Sequence, residues 1–284
     1  MNHGLPHTIA TMIATPDLGA IAREVKAAQD SGGPLEPFTS RHGGIDDAQA
    51  YAVAGLVHAA RLAEGAVPVG RKIGFTNPEM WDLYGVRAPV WAYVYASTVE
   101  FLADSRGSCR LGHFAAPRIE PEIVVHFHTA PPVGADAAAL LACIDWIAHG
   151  FEVVQSHYPD WKFRAADTIA DAGMHARLLV GEPQPVGKLG ATVLSDLERF
   201  TLSLSCNGEV REQGKGTNVL GSPLKAVAHL IGVLANQPDS RPLQAGELMT
   251  TGTITAAPYI NAGEAWTTAI EGIALPGLAL KLEA

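Results

Sequence analysis

The stretch R-I-E-P-E-I-V-V-H-F-H, Arg118 to His128, sets two acids one residue apart inside an apolar, β-branched run. A strand sends alternate side chains to opposite faces, so Ile119, Ile123, Val125 and Phe127 share one side while Glu120, Glu122 and His126 share the other. Two carboxylates about 7 Å apart on a half-buried face repel each other unless a cation or a shared proton relieves them. A strand with one core face and one acidic face is therefore expected, with something positive beside the acids. Taken alone, an E-x-E pair also fits a solvated edge strand.

Further acids in similar settings bear on the choice. Glu152 is a lone carboxylate in the strand-like run Phe151-Glu152-Val153-Val154. Three such acids can offer three oxygen ligands to Mg²⁺ or Mn²⁺, leaving positions for water or substrate. Gly70-Arg71-Lys72-Ile73-Gly74 sets a lysine between glycines in an extended segment. It reads either as a surface cation or as a proton carrier with a buried stem, and spacing does not choose between them. His126 shares the acid face and is a possible further ligand, although a hydrogen-bonded surface histidine is the commoner case.

Away from these runs, Leu18, Ile21, Ala22 and Val25 recur at helical spacing after Asp17, and the Gly/Pro-rich stretch 31–44 breaks the pattern. Asp46 and Asp47 then precede a second helix over Ala48 to Glu64, ending at Gly65. From Val67 the character changes to short apolar or alternating runs, predicting strands at 69–75, 91–99, 119–128, 151–155, 176–180, 200–206 and 275–282. Two helices interrupt them, at Ala135–His149 behind Asp136 and at Pro223–Asn236. Asn207-Gly208 between extended segments signals a hairpin. Strands that outnumber helices without alternating with them indicate an α+β fold with a mostly antiparallel or mixed sheet. A division into a helical segment over 1–68 and a β-rich body over 69–284 follows.

With 284 residues, 48% hydrophobic and 17% charged, the chain can bury a sizeable core. A net charge of -9 without any basic cluster excludes the electrostatic footprint of a nucleic-acid binder. Three scattered cysteines without C-x-x-C fit neither a disulfide framework nor a thiolate zinc site, which points to a reducing cytoplasm. No window offers eighteen uninterrupted apolar residues, and the N-terminus lacks a basic leader, so a soluble, unprocessed protein that does not enter a membrane is expected. Gly214 to Gly221 matches no phosphate-loop spacing, and Ser222-x-x-Lys225 lacks the companion motifs of a serine acyl-enzyme.

Taken in order, G-R-K-I-G-F-T (70–76), P-R-I-E-P-E-I (117–123), F-E-V-V-Q-S (151–156), I-A-D (169–171), the glycine-rich run 214–224 and T-G-T-I-T-A-A (251–257) resemble the 2-keto-4-pentenoate hydratase and 4-oxalocrotonate decarboxylase family of the fumarylacetoacetate hydrolase superfamily. The likeness runs from about Asp46 to the C-terminus. It implies a rolled-sheet body behind a small helical segment, a homo-oligomer and a small 2-oxo acid substrate. It assigns Glu120, Glu122 and Glu152 to a divalent cation, Mg²⁺ or Mn²⁺, and Lys72 with Asp171 to catalysis. Arg71, Met174, Gly252 and Thr253 would line the substrate.

The expected activity is that of a metal-dependent lyase on a 2-oxo-enoate, with acylpyruvate hydrolysis or a non-catalytic partner subunit as alternatives. Where similar hydratases carry an acid in P-D-F-G, this chain has Pro89-Val90-Trp91-Ala92, which favours decarboxylation over water addition. The family's A-D-N-A-S reads Ala170-Asp171-Ala172-Gly173-Met174, without its amide and hydroxyl.

Overall fold

The structure, a computed structural model, describes residues 15–78, 81–238 and 240–284, so the first fourteen residues of the expected helical segment lie outside the described residues. The helical segment contains α1 (Leu18–Ser31) and α2 (Asp47–Ala63). Asp17 caps the first by accepting from the Ala20 N–H, and Asp46 forms a reciprocal capping box with Gln49 on the second. Both starts are where the acids put them.

Next come β1 (Pro68–Gly74), the single turn α3 (Trp81–Tyr84), β2 (Val90–Tyr95), β3 (Val99–Phe101), β4 (Arg106–Arg110) and β5 (Arg118–Phe127). The middle of the chain forms α4 (Ala137–Leu141), β6 (Ile144–Val154), α5 (Ala165–Ala170), β7 (His175–Val180) and β8 (Gln184–Pro185). After α6 (Val193–Arg199) follow β9 (Thr201–Cys206), β10 (Glu209–Lys215), α7 (Pro223–Asn236), β11 (Leu248–Thr253), β12 (Ala265–Glu271) and β13 (Ala279–Glu283).

The strands form two mixed sheets. The larger runs β2-β1-β11-β5-β6-β7-β3, with β8 on the flank of β6, and the smaller runs β10-β9-β12-β13-β4. Most pairs are antiparallel, while β1/β11, β3/β7 and β4/β13 are parallel. Ile119, Ile123, Val125 and Phe127 of β5 enter one large core with Leu202, Leu204, Trp266, Leu280 and the buried face of α7. The opposite face of β5 carries Glu120 and Glu122, as the alternation requires. A second core packs α1 and α2 with Tyr158, Ile169 and Met174. The fold is α+β, with mixed, curled sheets behind a helical segment.

The sequence-based boundaries differ from the structure most clearly at Ala135–His149. Asp136 caps a helix as expected, but α4 ends after five residues and Ile144–His149 belongs to β6. Pairing with β5 captures this segment, with Ile147 opposite Val125 and Ala148 opposite Val124, and outweighs the helical pattern that runs in from α4. Strands β4, β11 and β12 and helices α5 and α6 also escaped the pattern. The stretch 216–236 is long and apolar enough to cross a membrane, yet Leu224, Val227, Leu230, Ile231 and Leu234 of α7 are buried in the main core. It is a core helix.

The two sheets are joined by His149. Its Nδ1 donates to the Glu122 carbonyl at 2.9 Å, and its Nε2 accepts from the Thr268 hydroxyl at 2.9 Å. A carbonyl can only accept, so Nδ1 carries a proton, and Nε2 accepts when the ring is neutral. Burial holds its pKa down to about 4. Below pH 6.5 the unfolded chain protonates this ring while the folded one does not, so stability falls as pH drops from 6.5 to about 4. The slope approaches about 1.4 kcal/mol per pH unit at most. His149→Gln should remove that component of the slope in urea denaturation across this pH range; an unchanged slope would contradict the assignment.

Candidate active site

Antiparallel pairing of β5 and β6 sets Glu120 directly opposite Glu152, and Glu122 opposite Gly150. Directly paired residues have Cβ atoms about 5 Å apart, so three acids from two separate runs share one small patch. Each offers a carboxylate oxygen, and those atoms all lie within 4.8 Å of one another. Glu122 and Glu152 are fully buried, and Glu120 is half-buried at the edge of a cavity.

The surroundings orient each carboxylate by one oxygen. Glu122 Oε2 accepts from the Gly252 N–H at 2.7 Å. Gly252 has φ +101°, and a Cβ there would lie 1.8 Å from Thr76 Oγ1, so only glycine brings β11 this close. Glu152 Oε1 accepts from His175 Nδ1 at 2.7 Å and pairs with Lys72 Nζ at 3.2 Å. The ammonium also donates to the Gly173 carbonyl at 2.8 Å, which fixes its position. Glu122 Oε1 and Glu152 Oε2 are left buried without a hydrogen-bond partner. Two orphaned carboxylate oxygens on members of one acidic cluster fit a divalent cation that takes hard oxygen ligands.

The electrostatics agree. Burial pushes the Glu120 carboxyl up to about 7, with the Glu152 charge adding to the effect and Lys72 opposing it. Burial, then the charges of Glu152 and Glu120, push Glu122 well above the usual carboxylate range. Burial acts against ionisation of Glu152 too, but Lys72 and the His175 hydrogen bond outweigh it and hold this carboxyl down to about 2. Burial alone would lower the Lys72 pKa, yet the three glutamates keep it raised. The cluster is short of positive charge.

One cavity joins Lys72 and Glu120 to Thr76, Met174, Thr253 and Thr255. Of the expected site residues the structure thus assembles Lys72, Glu120, Glu122, Glu152, Met174, Gly252 and Thr253. It does not bring Arg71 or Asp171 there, which corrects the expectation for both. Arg71 precedes Lys72 on β1 and so points to the other face, where it binds Glu247 at 2.9 Å and lies 3.9 Å from the Tyr93 ring centroid. Asp171 accepts from His157 Nδ1 at 2.7 Å and from Gln29 at 3.2 Å, tying α1 to the body. His126 sits at the far end of β5 against Asp145 and Trp146, away from the acids.

Sequence reasoning missed His175, whose Nε2 meets Thr98 Oγ1 at 2.8 Å, because only the pairing of β7 with β6 brings it beside Glu152. Replacing His175 by Phe should weaken divalent-ion binding by about 10- to 100-fold, the usual cost of losing a group that orients a ligand. A Mn²⁺ titration checks this, with far-ultraviolet circular dichroism unchanged; undiminished affinity would contradict the orienting role.

Residues 86–275 match the family model described as fumarylacetoacetate (FAA) hydrolase C-terminal. The chain is 30% identical over 265 residues to the 2-keto-4-pentenoate hydratase of Paraburkholderia phymatum, covering 89% of this chain and 94% of the relative. It is 28% identical over 253 residues to a 4-oxalocrotonate decarboxylase of a Pseudomonas species, covering 87% and 91%. Among solved structures it resembles 4-oxalocrotonate decarboxylase from Pseudomonas putida G7 complexed with magnesium and adipate, with a TM-score of 0.83, 26% identity and coverage of 93% of this chain and 97% of that one. The matched span includes the three convergent glutamates and the sheet that presents them, and the chain belongs to the fumarylacetoacetate hydrolase family.

Proposed function

We propose that this protein is a divalent-metal-dependent lyase that decarboxylates a 2-oxo-enoate, with Glu120, Glu122 and Glu152 as ligands of Mg²⁺ or Mn²⁺ and Lys72 as the proton carrier. The observation that carries the metal site is the pair of orphaned buried oxygens on Glu122 and Glu152. When bound, the ion would chelate a 2-oxo carboxylate and withdraw electrons from it. The chain's own residues do the rest. Gly252 and His175 hold the carboxylates in place, and Thr253 and Met174 line the substrate. As the carbon–CO₂ bond breaks, its electron pair spreads along the conjugated chain toward the 2-oxo oxygen. Lys72 then supplies the proton that replaces CO₂ on carbon, from an ammonium fixed by Glu152 and Gly173.

Decarboxylation is favoured over hydration because, among the described residues, Glu120 is the one carboxylate lining the cavity, and it belongs to the ion cluster. Val90, at the position where similar hydratases carry an acid, is buried and apolar. Among the described residues lining the cavity, no carboxylate outside the cluster is left to activate water. Incubation with 2-oxo-3-hexenedioate and Mg²⁺ should release CO₂. Hydration of 2-hydroxypenta-2,4-dienoate without CO₂ release from the diacid would reverse the reading.

The 69–284 body is the catalytic unit, and the helical segment shares an apolar core with Met174, which lines the cavity. Leu56 and Leu62, exposed on α2 beside a wide groove with Tyr51, Trp91 and Tyr93, support assembly into a homo-oligomer, which sedimentation velocity tests. Three free, buried cysteines support a reducing cytoplasmic location.

A further inference from the structure

Lys72 is held by a turn with a strained backbone. Residues 172–174 join α5 to β7, and Ala172, Gly173 and Met174 have φ of 51°, 60° and 66°. Three successive residues are left-handed, a region that only the glycine adopts without cost. The Gly173 carbonyl accepts from Lys72 Nζ at 2.8 Å. A Cβ on Gly173 would lie 3.1 Å from Lys72 Cδ, so the turn also packs against the lysine stem. Such a backbone persists only where its surroundings over-determine it.

Those surroundings come from two directions. The Met174 N–H donates to the Asp171 carbonyl at 2.9 Å, and the Met174 carbonyl accepts from the Gln155 N–H at 2.9 Å. At the start of the turn the Asp171 side chain is buried, 2% exposed, and each carboxylate oxygen has a donor. Oδ2 accepts from His157 Nδ1 at 2.7 Å, and Oδ1 accepts from Gln29 Nε2 at 3.2 Å. Gln29 lies on α1, 142 residues away in the chain, and its Oε1 accepts in turn from Arg61 of α2 at 3.2 Å. The helical segment thereby reaches the residue from which the turn springs.

We propose that Gln29 and His157 are positioning residues for proton transfer, which fix Asp171 and so hold the left-handed turn that sets the Gly173 carbonyl on the Lys72 ammonium; this rests on the reading of Lys72 as proton carrier given above. With one donor lost, the turn relaxes toward an unstrained backbone and the ammonium shifts relative to the bound acid.

The test follows deuterium entering the C3 methyl of pyruvate on the Mg²⁺-loaded protein by NMR. Gln29→Met keeps the length of the side chain without its amide. It should slow exchange by about tenfold or more, since a displacement of about 1 Å can cost about 100-fold. Calorimetric affinities for Mg²⁺ and pyruvate should stay within about twofold of the parent, because the ion cluster is untouched. His157→Leu should behave like Gln29→Met. His157→Asn, whose amide nitrogen stands close to where Nδ1 stands, should bring exchange back to within about threefold of the parent. Asp17→Ala removes the cap of α1, about 18 Å along the helix from Gln29, and should lower Tm without slowing exchange. Parent-rate exchange in Gln29→Met, exchange lost in step with affinity, or equal slowing in Asp17→Ala overturns the positioning role while Lys72 and the metal site stand. If the parent does not exchange pyruvate, or Lys72→Met exchanges at the parent rate, the reading of Lys72 falls, and this inference with it.

Discussion

Glu122→Gln should weaken Mn²⁺ binding by more than about a hundredfold, since loss of a residue that merely orients a ligand already costs about 10- to 100-fold. Turnover should disappear with the ion. The substitution keeps the volume and the acceptor oxygen that meets the Gly252 N–H, but removes the charge that burial and two neighbouring carboxylates already disfavour. The metal-free variant should therefore be at least as stable as the metal-free parent, and the parent alone should gain strongly in Tm on adding Mn²⁺. Loss of binding with stability retained separates removal of a ligand from misfolding. If the variant binds Mn²⁺ as tightly as the parent, the cluster does not hold the ion.

Lys72→Met should lower turnover by about 10²- to 10⁴-fold, the usual contribution of a positioned proton donor. Its effect on the ion should have the opposite sign to that of Glu122→Gln. Lys72 is a positive charge 3.2 Å from Glu152 Oε1, so its removal frees a ligand oxygen and removes a repulsion. Mn²⁺ affinity should hold or rise. Without metal the variant leaves Glu152 buried with His175 as its remaining partner, and loss of one member of a buried ion pair costs about 3–5 kcal/mol. Melting with and without Mn²⁺ should show that instability and its rescue. Deuterium exchange from solvent into C3 of a bound 2-oxo acid, followed by NMR, reads proton transfer separately from binding. Exchange at the parent rate would remove Lys72 from that role.

The parts of this molecule that could be read along the chain are those governed by neighbours within a few residues. Asp17 and Asp46 cap their helices because a cap needs only the next three N–H groups. Asn207 and Gly208, with φ of 51° and 86°, turn the β9–β10 hairpin because both positions need a left-handed backbone. The two faces of β5 follow from alternation alone, which is why Glu120 and Glu122 stood out as a pair. The same alternation should have set Arg71 apart from Lys72, since strand neighbours cannot share a site on one face.

What the chain order could not convey is register between segments far apart in it. Only the β5–β6 pairing decides that Glu152 faces Glu120, and the same pairing converts the latter half of an expected helix into strand. His175 reaches Glu152 across β6–β7, Gly252 reaches Glu122 from β11, and Trp161 and Tyr259 close on Arg118 from separate loops. Local spacing thus established which residues were chemically unusual. Long-range strand pairing, which is set by the fit of whole faces and not by adjacent residues, determined which of them meet and which, like Asp171 and His126, are turned to structural work elsewhere.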